Sequence, residues 1–158
     1  MGQNAYSNTP RLVLGFHGCE ENVAQKVLRL QDCLKPSAND YDWLGHGVYF
    51  WENDPLRALE WAEKRSKGHP SVIGAVIDLG NCLSILERDA IRSLQEAYIS
   101  LVNVTKEFGI EMPQNTNAVD GYEMKRKLDC AVFEKLHDMT KKTNQPPYDT
   151  VVGAGGVK

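Results

Sequence analysis

The sequence predicts an α+β fold: a split, mostly antiparallel sheet with helices after its first two strands and an added helical pair. Short apolar runs that end at glycine alternate with amphipathic stretches in the first half of the chain. Two longer amphipathic stretches, at 87–108 and 122–141, fill much of the second half. The 158 residues, 42% of them hydrophobic and 25% charged, suffice for one domain with a sizeable core, so we expect a single domain over 1–158.

The first strand and the first helix are predicted from neighbouring segments. The run 11–18 (RLVLGFHG) packs four apolar side chains before a glycine, which suits a buried strand and leaves His17 at its end. Residues 22–30 place apolar side chains at helical spacing, after two glutamates at the favourable N-terminal end of a helix. We therefore expect a strand that is followed directly by a helix.

A loop, a second strand and a second helix are expected next. Residues 35–47 are dense in Pro, Ser, Asn, Asp and Gly, which predicts a loop. Residues 48–51 follow as a short strand. Residues 53–55 (Asn-Asp-Pro) are a strong helix start, because a capping side chain precedes a proline. We expect this helix to end near residue 67, before a glycine.

The remaining elements are strands on either side of the helical pair. Residues 71–79 (SVIGAVIDL) give the clearest core strand, and 82–86 give a shorter one. A polar loop at 109–120 separates the two helices, for which packing is the expected role and a lid or recognition surface the alternative. Residues 150–152 begin another strand. The final GAGGVK precedes no helix that could bind an anion, so we expect a frayed terminus.

Composition narrows the functional classes. The net charge is −3 and the basic residues are spread along the chain, so a nucleic-acid partner is neither indicated nor excluded. The chain lacks a secretory signal and any apolar run of the roughly 20 residues that span a bilayer, so we expect a soluble, cytoplasmic protein without a membrane partner. The four cysteines lack CxxC spacing, so we expect reduced thiols, mostly in the core, and no metal site.

Two glycine-flanked segments are not needed for packing and predict the two walls of one small-molecule pocket. The first is 16–18, where Gly18 lets another molecule approach the backbone and its N–H and C=O can bond a ligand. The second is 45–51 (GHGVYFW), where two glycines shape a loop that leads into an aromatic strand. Taken singly, each has a plainer interpretation, because a histidine that ends a strand is more often structural and Tyr49 alone suits a core.

Together with the helix that follows, these segments resemble the NAD-binding core of ADP-ribosyltransferases, in the diphtheria-toxin and poly(ADP-ribose) polymerase branch with its His-Tyr-Glu triad. In that family a strand ends in His-Gly, a helix follows, and a Gly-x-Gly-(Val/Ile)-Tyr-Phe strand leads into another helix. LGFHG, GHGVYF and DPLRALEWA match this order. The resemblance is tight over about a third of the chain and loose over residues 71–79.

The resemblance implies NAD as co-substrate and a role for each matched residue. His17 would hydrogen-bond a ribose hydroxyl of NAD, Gly18 would hold the nicotinamide carboxamide through its backbone, and Tyr49 would stack on the nicotinamide ring. His17 and Tyr49 are therefore the expected catalytic residues. The family places a second aromatic wall one helix length further on, near Glu60, and Trp61 is the candidate. A core tryptophan on an amphipathic helix is the alternative interpretation of Trp61.

The reaction that the resemblance implies breaks the nicotinamide–ribose bond and transfers ADP-ribose to a protein or nucleic-acid acceptor. Its transition state is cationic, so a carboxylate should stabilise it, and in the family this is a glutamate on a late strand. We assign that role to none of Glu52, Glu60, Glu111 and Glu123, because none has a matching sequence context. The resemblance therefore implies a domain without the C-terminal segment that carries the glutamate.

Three functions remain open at this point. They are an ADP-ribosyltransferase, an inactive or truncated module that binds NAD or nicotinamide without turnover, and a structural or partner-binding domain. Saturable NAD binding and nicotinamide release distinguish them. A sheet edge left open by absent C-terminal strands would invite pairing with another chain, so we also expect a homodimer.

Overall fold

The structure is a computed structural model that describes residues 11–116 and 125–158. The described residues form four helices and eight strands, in the order β1 (Leu12–Glu20), α1 (Glu21–Leu28), β2 (Phe50–Glu52), α2 (Pro55–Arg65), β3 (Pro70–Asp78), β4 (Cys82–Ser84), α3 (Arg88–Phe108), β5 (Asn115–Thr116), β6 (Lys125–Arg126), α4 (Lys127–Lys142), β7 (Thr150–Gly153) and β8 (Gly156–Val157). The protein is thus an α+β protein, as the sequence predicts.

Six of the strands form one sheet in the order β3-β1-β2-β8-β7-β4, and β5 and β6 form a separate two-stranded ribbon. All neighbours in the sheet are antiparallel except β4 and β7, which confirms the mostly antiparallel expectation. We call β3-β1-β2 the first half-sheet and β8-β7-β4 the second half-sheet. Because β2 pairs with β8, the two half-sheets form one hydrogen-bonded sheet and not the split sheet that the sequence predicts.

The C-terminal segment corrects the expectation of a frayed end. Val152 pairs with Val157 and Gly153 with Gly156, so β7 and β8 form a hairpin whose two-residue turn contains Gly155 at φ +80°. Val157 is 1% exposed because β8 lies inside the sheet, between β2 and β7. The last strand is therefore part of the core and not a loose terminus.

Other boundaries differ from the sequence expectations by a few residues. The expected strand at 48–51 is observed as β2 (Phe50–Glu52), because the chain at Tyr49 has already left its neighbour β1. The expected loop at 109–120 contains β5, and its last four residues lie outside the described part. The expected helix at 122–141 is observed as α4 (Lys127–Lys142); residues 122–124 also lie outside that part.

Helices pack on both half-sheets. The small residues Ala58 and Ala62 of α2 are buried, and α2 packs on β1 and β3. The main apolar core lies at the second half-sheet, where α3 and α4 meet the loop before β2; its buried members are Leu44, Leu83, Ala90, Ala97, Phe133, Leu136 and Val151.

Of the four free cysteines only Cys130 is buried, so the expectation that most of them fill the core is wrong. Within the described residues, no helix is long and apolar enough to cross a membrane.

Candidate functional site

The candidate site begins where β1 and β2 diverge. The two strands pair at Gly15–Glu52 and Phe16–Trp51, and the Leu14 carbonyl accepts a hydrogen bond from the Asn53 N–H at 2.9 Å. Because peptide groups alternate along an antiparallel strand, this ladder would continue with Gly18 bonded to Tyr49. The strand pairing ends before that pair. The opening therefore falls at two of the residues that the sequence singled out.

His17 bridges this opening with its side chain. Its Nδ1 lies 2.7 Å from the carbonyl oxygen of Tyr49. A carbonyl oxygen can only accept, so Nδ1 carries the proton, and in the neutral imidazole Nε2 is then a hydrogen-bond acceptor. The Phe50 ring packs against the imidazole with ring centroids 5.6 Å apart. The imidazole is thus fixed in position and in tautomer, and Nε2 makes no hydrogen bond to a described residue.

Gly18 is constrained on two sides. Its peptide N–H and C=O face the side on which β2 has diverged, so no described strand residue pairs with them. In the direction that a side chain would take, a Cβ atom would lie 2.0 Å from the carbonyl oxygen of Ala58 in α2. Only glycine allows this close approach of strand and helix. Gly18 therefore has a packing role as well as main-chain groups that can bond a ligand.

Tyr49 is held by the loop that precedes it. Its hydroxyl donates to the Gly45 carbonyl at 2.6 Å and accepts from the Leu44 N–H at 3.1 Å. Burial raises the pKa of this hydroxyl far above its ordinary value, so it stays protonated and remains a donor. The ring packs against the main core. Both bonds hold the ring at the loop 44–45, against the main core, and the Tyr49 carbonyl is the atom of this residue that meets His17.

Trp61 lies apart from His17. It is 40% exposed, so the alternative interpretation of a core tryptophan is not supported. Its ring meets Trp51 edge-on at 6.4 Å, and the Arg65 guanidinium lies 4.1 Å from its centroid. These contacts lie on the side of the sheet that α2 covers, whereas the His17 ring packs on Phe50. The structure thus brings His17, Gly18 and Tyr49 together and places Trp61 in a separate aromatic cluster.

A groove of about 680 Å³ lies on the other side of Phe50. The loop at 46–48 lines it, as the sequence predicts for one wall of a pocket, but the opposite wall is not His17 and Gly18. It comes from the end of β3 and from the C-terminal segment; characteristic lining residues are His46, Phe50, Ile77, His137, Tyr148 and Lys158. The groove therefore adjoins the opening at Phe50 and is lined mainly by residues that the sequence did not mark.

Lys158 is a basic residue of this groove, beside its aspartates and histidines, and sequence reasoning missed it. Its Nζ donates to the Leu44 carbonyl at 2.9 Å. Burial lowers the pKa of this ammonium group below its ordinary value, and the nearby Glu134 carboxylate opposes that shift only in part. Glu134 in turn accepts from the backbone N–H of His46 at 2.7 Å. One pattern in the sequence could have indicated this position. Val-Val-Gly-Ala-Gly-Gly-Val has apolar residues on both sides of a two-residue turn, which is typical of a hairpin, and a hairpin would bring Lys158 back to the sheet.

The four glutamates considered from sequence are dispersed. Glu52 is on β2 opposite Gly15, Glu60 is exposed on α2, Glu111 is exposed after α3, and Glu123 lies outside the described residues. Continuing the β2–β8 register by one residue sets Lys158, not a carboxylate, opposite Tyr49. Among residues 11–116 and 125–158, no group of three or more His, Cys, Asp or Glu side chains could hold a metal ion.

Comparison with known proteins adds one similarity. A stretch of 52 residues is 35% identical to the uncharacterized protein MJ0359 of Methanocaldococcus jannaschii. The stretch is 33% of this chain and spans 23% of the length of that relative. No family model matches the chain, and no solved structure matches it.

Proposed function

We propose that the protein binds NAD at the opening between β1 and β2 and transfers ADP-ribose from it to a protein or nucleic-acid acceptor. The observation that carries the proposal is the hydrogen bond from His17 Nδ1 to the Tyr49 carbonyl. The Tyr49 carbonyl is the acceptor that a continued ladder would have paired with the Gly18 N–H. Because Nδ1 of His17 is bonded to it, Nε2 stays available as an acceptor. The proposal includes a fold of the ADP-ribosyltransferase type, as the resemblance of the sequence implies.

The chemistry of the free groups suits NAD. A ribose hydroxyl can donate to Nε2 of His17, and a carboxamide has both a donor and an acceptor for the C=O and N–H of Gly18. The proposal gives Tyr49 the role of stacking on the nicotinamide, because a flat cationic ring is favourably held against an aromatic face. The proposal keeps Trp61 as the second aromatic wall. This role requires a movement of α2, or a ligand long enough to reach from His17 to the Trp61 ring.

Nicotinamide–ribose cleavage needs negative charge near the ribose carbon. Lys158 opposite Tyr49 favours a second candidate function, a module that binds NAD or nicotinamide without turning it over. The two functions predict the same binding and differ in product. Nicotinamide release, measured by chromatography after incubation with NAD and a protein or RNA mixture, indicates the transferase, and saturable binding without release indicates the module.

Binding is tested by calorimetry with NAD and the variant His17→Asn. The asparagine NH2 can replace Nδ1 as donor to the Tyr49 carbonyl, and its Oδ1 then takes the place of the ring carbon Cδ2, so no acceptor reaches the position of Nε2. We expect NAD binding to weaken about three- to tenfold, the size of one lost hydrogen bond, with unchanged thermal stability.

The matched control is His69→Asn, which changes an exposed histidine outside the opening and should bind NAD as the unmodified protein does. Absence of saturable NAD binding to the unmodified protein contradicts both candidate functions and leaves the structural or partner-binding role. Equal weakening in both variants would remove His17 from the proposal.

A further inference from the structure

The outer edge of β3 presents main-chain groups without a strand partner among the described residues. β3 pairs with β1 over nine residue pairs and is the end strand of the sheet. The Leu79 N–H donates to the Arg11 carbonyl, so odd-numbered residues face β1 and even-numbered ones face outward. The outward residues are Val72, Gly74, Val76 and Asp78.

This edge lacks the devices that usually block strand pairing. No lysine, internal proline or bulge interrupts it, since Pro70 stands at its first position and the register with β1 is continuous. Val76 is 67% exposed, and its cross-strand neighbour Leu14 is 50% exposed. The opposite edge of the sheet, β4, has only three residues. The β3 edge is therefore the long and apolar one.

We propose that β3 pairs antiparallel with β3 of a second copy of this chain, about a two-fold axis at Gly74. This register sets Val72 opposite Val76 of the partner subunit and Asp78 opposite Pro70 of the partner subunit. The sole charge on the strand, Asp78, then lies at the opposite end of the paired strands from the partner's Asp78, so the like charges of the two copies do not meet. The proposal is independent of NAD binding.

The sheet edge that forms this dimer differs from the one expected from sequence. That expectation placed the open edge where C-terminal strands would be absent, but β8 lies within the sheet. The nine residues of β3 include four whose peptide groups face outward and can pair in each copy, whereas β4 has only three residues in all.

The test is amide hydrogen exchange of the full chain by NMR, at low-micromolar and at submillimolar concentration, with mass measured by light scattering. The amides of Val72, Gly74 and Val76 should slow by about tenfold or more at high concentration. Those of Ile73, Ala75 and Ile77 face β1 and serve as internal controls, slow at both concentrations. A monomer at high concentration, or a dimer in which the outward amides still exchange fast, overturns the proposal.

A variant separates this edge from other surfaces. Val76→Lys places a charge on an exposed position of the edge and should weaken dimerisation by about tenfold or more, because lysine on an edge strand opposes pairing. Leu86→Lys changes a residue that is 75% exposed beyond β4 and should leave dimerisation unchanged. A monomer that dimerises only after removal of residues 1–10 would show that the chain's own N-terminal segment covers the edge, which also overturns the proposal.

Discussion

The two half-sheets are held in different ways, although β2 and β8 join them. In the first, β1 and β3 pair over nine residues and α2 packs on them through small side chains. In the second, β4, β7 and β8 have two to four residues each. Phe133 and Leu136 of α4 pack with Leu44 and with Ala90 and Ala97 of α3 in the core beside them. Main-chain pairing dominates the first half-sheet, and side-chain packing dominates the second.

This difference explains where the candidate site can lie. Because β3 holds β1 along its whole length, β1 can part from β2 after Phe16 and still keep His17 and Gly18 in fixed positions. A strand of two residues such as β8 has no comparable support and must be paired on both sides. Unpaired polar groups on a rigid strand are therefore found in the first half-sheet, as a preorganised ligand site requires.

The largest expected effect tests how closely α2 approaches the first half-sheet. In Gly18→Ala the added Cβ would lie 2.0 Å from the Ala58 carbonyl oxygen, so strand or helix must shift. We expect a loss of about 3 kcal/mol in the free energy of unfolding, measured by urea denaturation, which is at the upper end for overpacking.

Gly68→Ala is the matched control for this variant. A Cβ atom at Gly68 would meet nothing within 4 Å, so the free energy of unfolding should change by less than about 0.5 kcal/mol. A small loss in Gly18→Ala would mean that α2 does not rest on β1 at this point, and the contrast between the two half-sheets would weaken.

The first half-sheet was largely predictable from sequence, because its signals are local. The apolar run before His17, the Asn-Asp-Pro helix start and the run at 71–79 each correspond to an observed element. The contact between His17 and Tyr49 is different in kind. The sequence predicted that His17 ends a strand, but β1 continues to Glu20, and Tyr49 lies just before β2. The side-chain bond to a carbonyl 32 residues away depends on where β1 and β2 diverge.

The second half-sheet was predicted less well, because its strands are short and depend on long-range contacts. β7 pairs in parallel with β4, 68 residues earlier, and no local pattern specifies such a partner. Lys158 reaches Leu44 across 114 residues, which explains why the terminal segment was expected to fray. The assignment of NAD and of the acceptor stays a prediction from the resemblance.

Val157→Ala tests whether packing holds the second half-sheet. Val157 is 1% exposed and lies between Phe50 and Val152 in the sheet. We expect a loss of about 2 kcal/mol in the free energy of unfolding, from lost apolar burial and the cavity left behind. Val23→Ala, at a position that is 36% exposed on α1, should cost clearly less. If both variants lose almost no free energy of unfolding, the C-terminal segment does not pack in the core and is frayed, as the sequence predicts.

The smallest expected effect concerns a local signal beside the first half-sheet. The Asp54 carboxylate accepts from the Arg57 N–H at 2.9 Å and caps α2, with Pro55 as the first helical residue. Asp54→Ala should lower the free energy of unfolding by about 1 kcal/mol, the usual cost of a lost N-cap. Asp54→Asn keeps an accepting oxygen and should cost only a few tenths of a kcal/mol, within the ranking of capping residues. If asparagine costs as much as alanine, the charge near the helix N-terminus, and not the hydrogen bond, stabilises this start of α2. The sequence would then predict correctly where α2 begins, but the stabilising interaction would be the charge and not the capping hydrogen bond.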